Sequence, residues 1–92
     1  MSADLQDLKA RIKRALIEEL DLRGKTAADI DEAAPLFGEG LGLDSLDALQ
    51  LAMAIEERFG VAVPDGDAGR AVFASVDAIA EFLVRVDAPG AK

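Results

Sequence analysis

The sequence contains neither cysteine nor histidine. The absence of cysteine excludes disulfide bonds and a thiolate nucleophile, and without either residue the common zinc ligands are missing. The absence of histidine also removes the usual general base of enzymes. We therefore expect no metal site in this chain and no catalysis that depends on a cysteine or a histidine.

Basic residues are few relative to acidic ones. The chain has 10 lysines and arginines against 18 aspartates and glutamates, which gives a formal net charge of −8. Nucleic-acid binding depends largely on lysines and arginines that contact phosphates, so this balance argues against a nucleic-acid partner. It favours partners with basic surfaces, although acidity of this size also serves solubility alone.

Long hydrophobic runs are absent as well. No apolar stretch approaches the roughly 20 residues that span a bilayer, and the first residues, MSADLQDLKARIKR, lack the apolar region of a secretory signal. These features predict no membrane span and a cytoplasmic location. Apolar residues nevertheless make up 51% of the 92 residues, which indicates one folded domain rather than a disordered acidic chain.

Hydrophobic spacing predicts an all-α fold. The first helix is expected from Asp4, as N-cap, to about Leu22, with Gly24 as its C-terminal cap. Its apolar stripe recurs at intervals of three and four residues and comprises Leu5, Leu8, Ile12, Leu16 and Leu20. A long loop follows up to Asp44, because Pro35 and three glycines interrupt any periodicity. Its apolar residues are expected to pack on the core, namely Ile30, Leu36, Phe37, Leu41 and Leu43.

Three further helices complete the prediction. The second spans residues 45–59 and is closed by Gly60, a short third is expected at 67–72, and the last runs over 76–86 with Ser75 as its N-cap. The core stripe of the last helix is expected to contain Val76, Ile79, Leu83 and Val86. The sequence thus predicts a small monomeric four-helix bundle over residues 1–86, with three longer helices, a short third helix and a flexible tail at 87–92.

The second helix has two distinct faces. Asp44 and Asp47 have the spacing of an N-cap and an acidic third residue, which makes Ser45 the first helical residue with a hydroxyl free to face solvent. One buried arc is predicted to contain Ala48, Leu51, Ala52, Ile55 and Phe59. Nearly opposite lies a stripe formed by Leu46, Gln50, Met53 and Glu57, flanked by Asp47 and Glu56. An apolar centre with an acidic rim suggests a docking surface, although single exposed apolar residues are common.

Ser45 admits few chemical roles. A serine nucleophile needs an adjacent base, and here there is no histidine, no G-x-S-x-G pattern and no lysine nearby in sequence. The glycines that precede it lack the strand and the lysine of a nucleotide-binding loop. An ordinary helix start and an acceptor for a covalent group both remain possible, since a phosphodiester is accommodated near free N–H groups at a helix N-terminus.

The stretch LGLDSLDALQLAMAIEERFGVAVPD, residues 41–65, closely resembles the acyl carrier proteins. The matching elements are Asp-Ser-Leu at the second helix, the acid at Asp47, Ile-Glu-Glu-x-Phe ending at Phe59, and the Val-Pro-Asp turn. The helical plan fits nearly the whole chain. The resemblance implies a discrete carrier without catalytic activity, which tethers acyl intermediates as thioesters on 4′-phosphopantetheine attached to Ser45, with Asp44 as the adjacent motif residue.

The same resemblance implies the partners. A phosphopantetheinyl transferase would transfer the arm from coenzyme A with magnesium, and acyl ligases or transferases, ketosynthases and reductases of fatty acid or polyketide synthesis would follow. Their basic grooves would contact the docking set, which comprises Leu46, Asp47, Gln50, Met53, Glu56 and Glu57. Gln50 departs from the acid that many such carriers have there, which indicates a specialised pathway. The apolar interior would shelter the acyl chain, as in the family.

Two alternatives remain open from the residues. An aminoacyl or peptidyl carrier would use the same serine, but Leu-Asp-Ser-Leu and the acidic charge favour an acyl carrier. An unmodified acidic helical module would use the same face of the second helix without any covalent group.

Overall fold

The computed structural model describes residues 2–21, 24, 26–37, 44–64 and 66–91. It contains four α-helices, α1 (Ser2–Glu19), α2 (Ser45–Phe59), α3 (Gly66–Val72) and α4 (Val76–Arg85). Two short 3₁₀ turns lie at Ala27–Asp29 and Pro89–Ala91. The predicted all-α bundle, with a short third helix and a long loop between the first two, is confirmed.

The limits of α1 differ from the prediction at both ends. Asp4 is not the N-cap, because the helix already begins at Ser2 and residue 4 lies within its first turn. The helix ends at Glu19, and Asp21 (φ 51°) adopts the left-handed conformation, which a right-handed helix cannot continue. Gly24 is also left-handed (φ 77°), but lies beyond that end. The core contacts come from Leu8, Ile12, Ala15 and Leu16, whereas Leu5 is exposed and Leu20 only partly buried.

The described part of the long loop packs on the core, as predicted. Ile30 and Leu36 are buried, and Phe37 packs partly against the same cluster. The Leu36 N–H donates to the carbonyl of Ala74 (3.1 Å), so the loop is anchored at the junction of α3 and α4. Leu41 and Leu43 lie outside the described residues.

A network of ion pairs joins α1, this loop and α4. The Nζ atom of Lys9 lies 2.8 Å from Asp77 Oδ1 and 3.5 Å from Glu32 Oε1, and Lys13 Nζ donates to Glu32 Oε2 (2.8 Å). The hydrogen bond from Lys13 lowers the pKa of Glu32, and the hydrogen bond to Asp77 raises the pKa of Lys9. The backbone also joins here, since the Asp77 N–H donates to the carbonyl of Glu32 (2.9 Å).

Helix α2 begins and ends where the sequence predicted. Leu51, Ile55 and Phe59 are buried, and Ala54, which the predicted arc omitted, is buried beside them. The other two predicted core residues are only half-buried, namely Ala48 and Ala52. Gly60 closes the helix in the left-handed conformation (φ 69°), with its N–H bonded to the carbonyl of Glu56.

Helix α3 begins one residue before the predicted range and packs closely on the preceding segment. A Cβ atom at Gly69 would lie 2.3 Å from the carbonyl oxygen of Pro64, so only glycine permits this approach. Val72 and Phe73 continue the core at its end. The predicted turn at Pro64–Gly66 includes residue 65, which lies outside the described residues.

Helix α4 begins as predicted, since Ser75 Oγ accepts the N–H of Ala78 (3.1 Å). Val76, Ile79 and Leu83 are buried. Val86 was wrongly assigned to this stripe, because the helix ends at Arg85 and Val86 is 45% exposed. No helix within the described residues is long and apolar enough to cross a membrane.

The segment after α4 follows a defined path against the bundle. Ala88 is buried, and its N–H donates to the carbonyl of Leu83 (3.1 Å). The Pro89–Ala91 turn contacts α2 so closely that a Cβ at Gly90 would lie 2.4 Å from the Cα of Phe59. The mobility of residues 87–92 stays a prediction.

Candidate functional site

The start of α2 is a complete capping box. Asp44 has extended backbone (φ −112°, ψ −172°), and its Oδ1 accepts the N–H of Asp47 at 3.0 Å. In return, Asp47 Oδ2 accepts the N–H of Asp44 at 3.0 Å. Both carboxylates therefore stabilise the helix N-terminus, as the spacing predicted. Asp44 is the capping residue, and Ser45 is the first residue of the helix.

Ser45 can be compared with the other hydroxyl residues of the chain, which are Ser2, Thr26 and Ser75. Thr26 Oγ1 donates to Asp29 Oδ2 (3.2 Å), and Ser75 Oγ caps α4. Ser45 begins the helix whose cap is supplied by its neighbour. The orientation of its side chain and the glycine-rich approach at 38–43 lie outside what the structure describes, so the outward projection of the hydroxyl stays a prediction.

Three apolar side chains next to this start are exposed on one side of α2, and we call them the outer face. Leu46 is 76% exposed, Leu49 61% and Met53 60%. Isolated exposed apolar residues are common, but three at intervals of three and four residues lie next to one another on a helix. Leu49 was absent from the predicted docking set, although that spacing from Leu46 and Met53 was already present in the sequence.

The polar members of the predicted docking set have different environments. The Nε2 of Gln50 donates to the carbonyl of Glu19 at the end of α1, and Glu56 Oε2 accepts the N–H of Val63 (2.8 Å). Together with Asp47 in the capping box, these side chains bind the fold itself. Glu57 is exposed beside the outer face. The structure thus brings Leu46, Gln50, Met53 and Glu57 to the surface, and Gln50 and Glu56 also form hydrogen bonds within the fold.

An apolar cavity of about 270 Å³ opens between α2 and α3. Its α2 wall contains the small residues Ala48 and Ala52, which explains why both are only half-buried. Other lining residues include Phe37, Leu49, Met53, Val63, Gly69 and Phe73. An engineered apolar cavity of about 150 Å³ holds benzene, so this space can hold a short hydrocarbon chain. It adjoins the outer face through Leu49 and Met53.

The last turn of α2 is bound to the end of α1. Arg58 Nη2 donates to Glu18 Oε1 (2.8 Å) and to Glu19 Oε2 (3.0 Å). These hydrogen bonds raise the pKa of Arg58, and the bond to Glu18 has the larger effect. With the Gln50 bond to Glu19, they hold α1 against one side of α2 and leave the outer face on the other.

Comparison with known proteins shows similarity over most of the chain, including α2. A family model described as "Phosphopantetheine attachment site" matches residues 4–83. An acyl carrier protein of Sinorhizobium fredii (strain NBRC 101917 / NGR234) is 38% identical over 84 residues, which cover 91% of this chain and 100% of the relative. The acyl carrier protein AcpP of Rhizobium meliloti (strain 1021) matches to the same extent.

Proposed function

This chain belongs to the acyl carrier proteins with a phosphopantetheine attachment site, and we propose that Ser45 is the residue that bears the group. The family resemblance noted in residues 41–65 is confirmed by matches over most of the chain. As a member, the protein is a carrier rather than a catalyst, is modified by a phosphopantetheinyl transferase, and holds acyl groups on covalent 4′-phosphopantetheine.

The observation that carries the assignment is the position of Ser45 as the first residue of α2, directly after its cap. The free N–H groups and dipole of a helix N-terminus accommodate an anion such as a phosphodiester. The two carboxylates nearby are committed to the capping box. When bound, the group supplies the thiol for thioester formation, which a chain without cysteine lacks.

The outer face is proposed as the surface on which partner enzymes dock. Its exposed apolar centre at Leu46, Leu49 and Met53, with acids at Asp47 and Glu57, complements a basic groove with an apolar floor. The roles proposed for Gln50 and Glu56 are supportive, because their hydrogen bonds to Glu19 and Val63 position the helix.

The finer assignments are proposals too. Acyl carriers interact with the transferase and with biosynthetic enzymes in general, and we propose acyl ligases or transferases, ketosynthases and reductases as the specific classes. The cavity between α2 and α3 is proposed to shelter the acyl chain, since its lining is largely apolar. The cytoplasmic location and the monomeric state stay predictions.

Intact mass spectrometry tests Ser45. The apo protein is incubated with coenzyme A, magnesium and a broad-specificity transferase, and we expect one phosphopantetheinyl adduct. Ser45→Ala should abolish it with the helical circular dichroism retained, whereas Thr26→Ala should leave it intact. An adduct that survives in Ser45→Ala refutes the site. No adduct on the native chain, beside a modified control carrier, favours the unmodified module. If the modified protein is then offered activated acyl and aminoacyl donors, exclusive loading with aminoacyl groups favours the aminoacyl carrier.

Transfer kinetics test the outer face. Met53→Ala and Glu57→Lys should each reduce kcat/KM of the transferase about five- to tenfold, which is about 1–1.4 kcal/mol and typical of a contact that matters in an interface. Val84→Ala is the matched control, because Val84 is equally exposed at 61% but lies on α4. Equal kinetics in all three variants and the native protein would contradict the docking assignment.

A further inference from the structure

A second cavity, of about 300 Å³, lies between α1 and the end of α2. It is lined by Arg11, Arg14, Arg58 and Phe59, so every polar lining side chain is a guanidinium. This concentration of positive charge stands out in a chain with a net charge of −8 and only 10 basic residues. It is separate from the proposed attachment site, because Arg58 lies at the other end of α2 from Ser45, about 20 Å along the axis.

The three guanidinium charges are compensated to different degrees. Arg58 is paired with Glu18 and Glu19. Arg11 donates to the carbonyl of Gly90, a neutral acceptor, and lies 5.1 Å from the ring centroid of Phe59. Arg14 is exposed and has no ion pair within the described part of the chain. Two positive charges at one cavity therefore have no carboxylate of their own among those residues.

The chemistry of arginine narrows the ligand. A guanidinium presents a planar fork of donors that matches the oxygens of carboxylates and phosphates, and it stays charged at every physiological pH. The cavity lies at the small end of the range for ligand pockets, about 300–1,000 Å³. An acidic protein segment would bring many charges near the 18 acids of this chain, whereas a single small dianion meets much less repulsion.

We propose that the cavity formed by Arg11, Arg14 and Arg58 binds a phosphate group, either free phosphate or a phosphate monoester. Arg14 is the principal ligand, because its charge is uncompensated and its side chain is accessible. Arg11 contributes a second charge from a position held by Gly90 and Phe59. The site does not depend on Ser45 or on its modification.

Backbone amide NMR titrations at constant ionic strength test the proposal, with inorganic phosphate in one arm and adenosine monophosphate in the other. We expect saturable shifts at residues 11–14 and 58–59 in at least one arm, and the tighter arm identifies the source of the phosphate. Arg14→Gln should weaken this binding at least tenfold. Arg85→Gln, which removes an exposed arginine from α4, should change it less than twofold.

The opposite results are equally clear. Non-saturable shifts, or equal affinities in Arg14→Gln and Arg85→Gln, would show general charge screening and overturn the site. If neither phosphate ligand binds while a glutamate-rich peptide binds with the same dependence on Arg14, the phosphate assignment is overturned in favour of an acidic protein segment. Circular dichroism of both variants shows that the comparison is made between folded proteins.

Discussion

Gly69 is the residue at which one added methyl group should change the molecule most clearly. Alanine normally favours a helix over glycine by about 1 kcal/mol, but a Cβ here would lie 2.3 Å from the backbone oxygen of Pro64, which cannot rotate away. We expect Gly69→Ala to lower the free energy of unfolding by about 1–2 kcal/mol, because overpacking outweighs propensity. Urea denaturation measures this value.

The control for Gly69 adds one atom to the same helix at an exposed position. Ala71→Ser should stay within about 0.5 kcal/mol of the native protein. Since Gly69 lines the cavity between α2 and α3, Gly69→Ala should also displace α3 and shift the amide resonances of that wall. A variant as stable as the native protein would show that α3 moves without cost.

At the scale of single elements, the limits of a helix were predicted correctly where the interactions that determine them are local in sequence. The limits of α2 were predicted because Asp44, Asp47 and Gly60 supply both caps within a few residues of the helix itself. The predicted limits of α1 were wrong at both ends. Asp4 is a typical N-cap residue, but the helix begins earlier, at Ser2, and the left-handed residue just beyond its end is Asp21. Sequence periodicity does not decide between such alternatives.

The candidate site shows the same division. The placement of Ser45 followed from the local capping pattern, and the exposure of Leu46 and Met53 followed from helical spacing. The internal bonds of Gln50 to Glu19 and of Glu56 to Val63 could not be predicted, because they depend on which neighbours the tertiary fold brings near. From the sequence alone, an amide or an acid that contacts a partner cannot be distinguished from one that forms a hydrogen bond within its own fold.

The backbone mobility of the C-terminal segment, residues 87–92, can be measured directly. Its composition predicted a flexible tail, yet Ala88 is buried and Gly90 contacts Phe59. We expect residues 88–90 to show backbone heteronuclear relaxation like that of α4, and Gly90→Ala, which would place a Cβ within 2.5 Å of the Arg58 oxygen, to release them. Fast motion of residues 88–90 in the native protein would contradict this expectation and support the prediction of a flexible tail.

At the scale of the whole molecule, three of the basic residues join neighbouring elements. Lys9 and Lys13 join α1 to the loop and to α4 through Glu32 and Asp77, and Arg58 joins α2 to α1. In an acidic chain, this use of cations reduces repulsion where the elements meet. The outer face of α2 is left apolar with acids beside it, and this is the surface that we propose for partner docking.

The pH dependence of stability should expose the contribution of Glu32. Its pKa is lowered below the ordinary value of 4.5, and the largest cause is the hydrogen bond from Lys13. The folded state therefore favours the ionised form. This stabilisation is present above pH 4.5 and is lost as the pH falls through the lower pKa of the folded state. The contribution of Lys9 to stability depends on pH in the opposite direction, because its pKa is raised in the folded state. This stabilisation is present below pH 10.5 and is lost only as the pH rises through the pKa of the folded state.

The experiment compares native protein with Glu32→Gln by urea denaturation from neutral pH to well below 4.5. Near neutrality, Glu32→Gln should be less stable by roughly 0.5–1 kcal/mol, as expected for partly exposed ion pairs, and the two curves should converge at the acid end. The difference is the informative quantity, because protonation of the many other acids also relieves repulsion and changes both proteins alike. Glu57→Gln, at an exposed position, should track the native curve. A difference between native protein and Glu32→Gln that stays constant across the whole range would contradict the ionic role of Glu32 and assign its effect to packing.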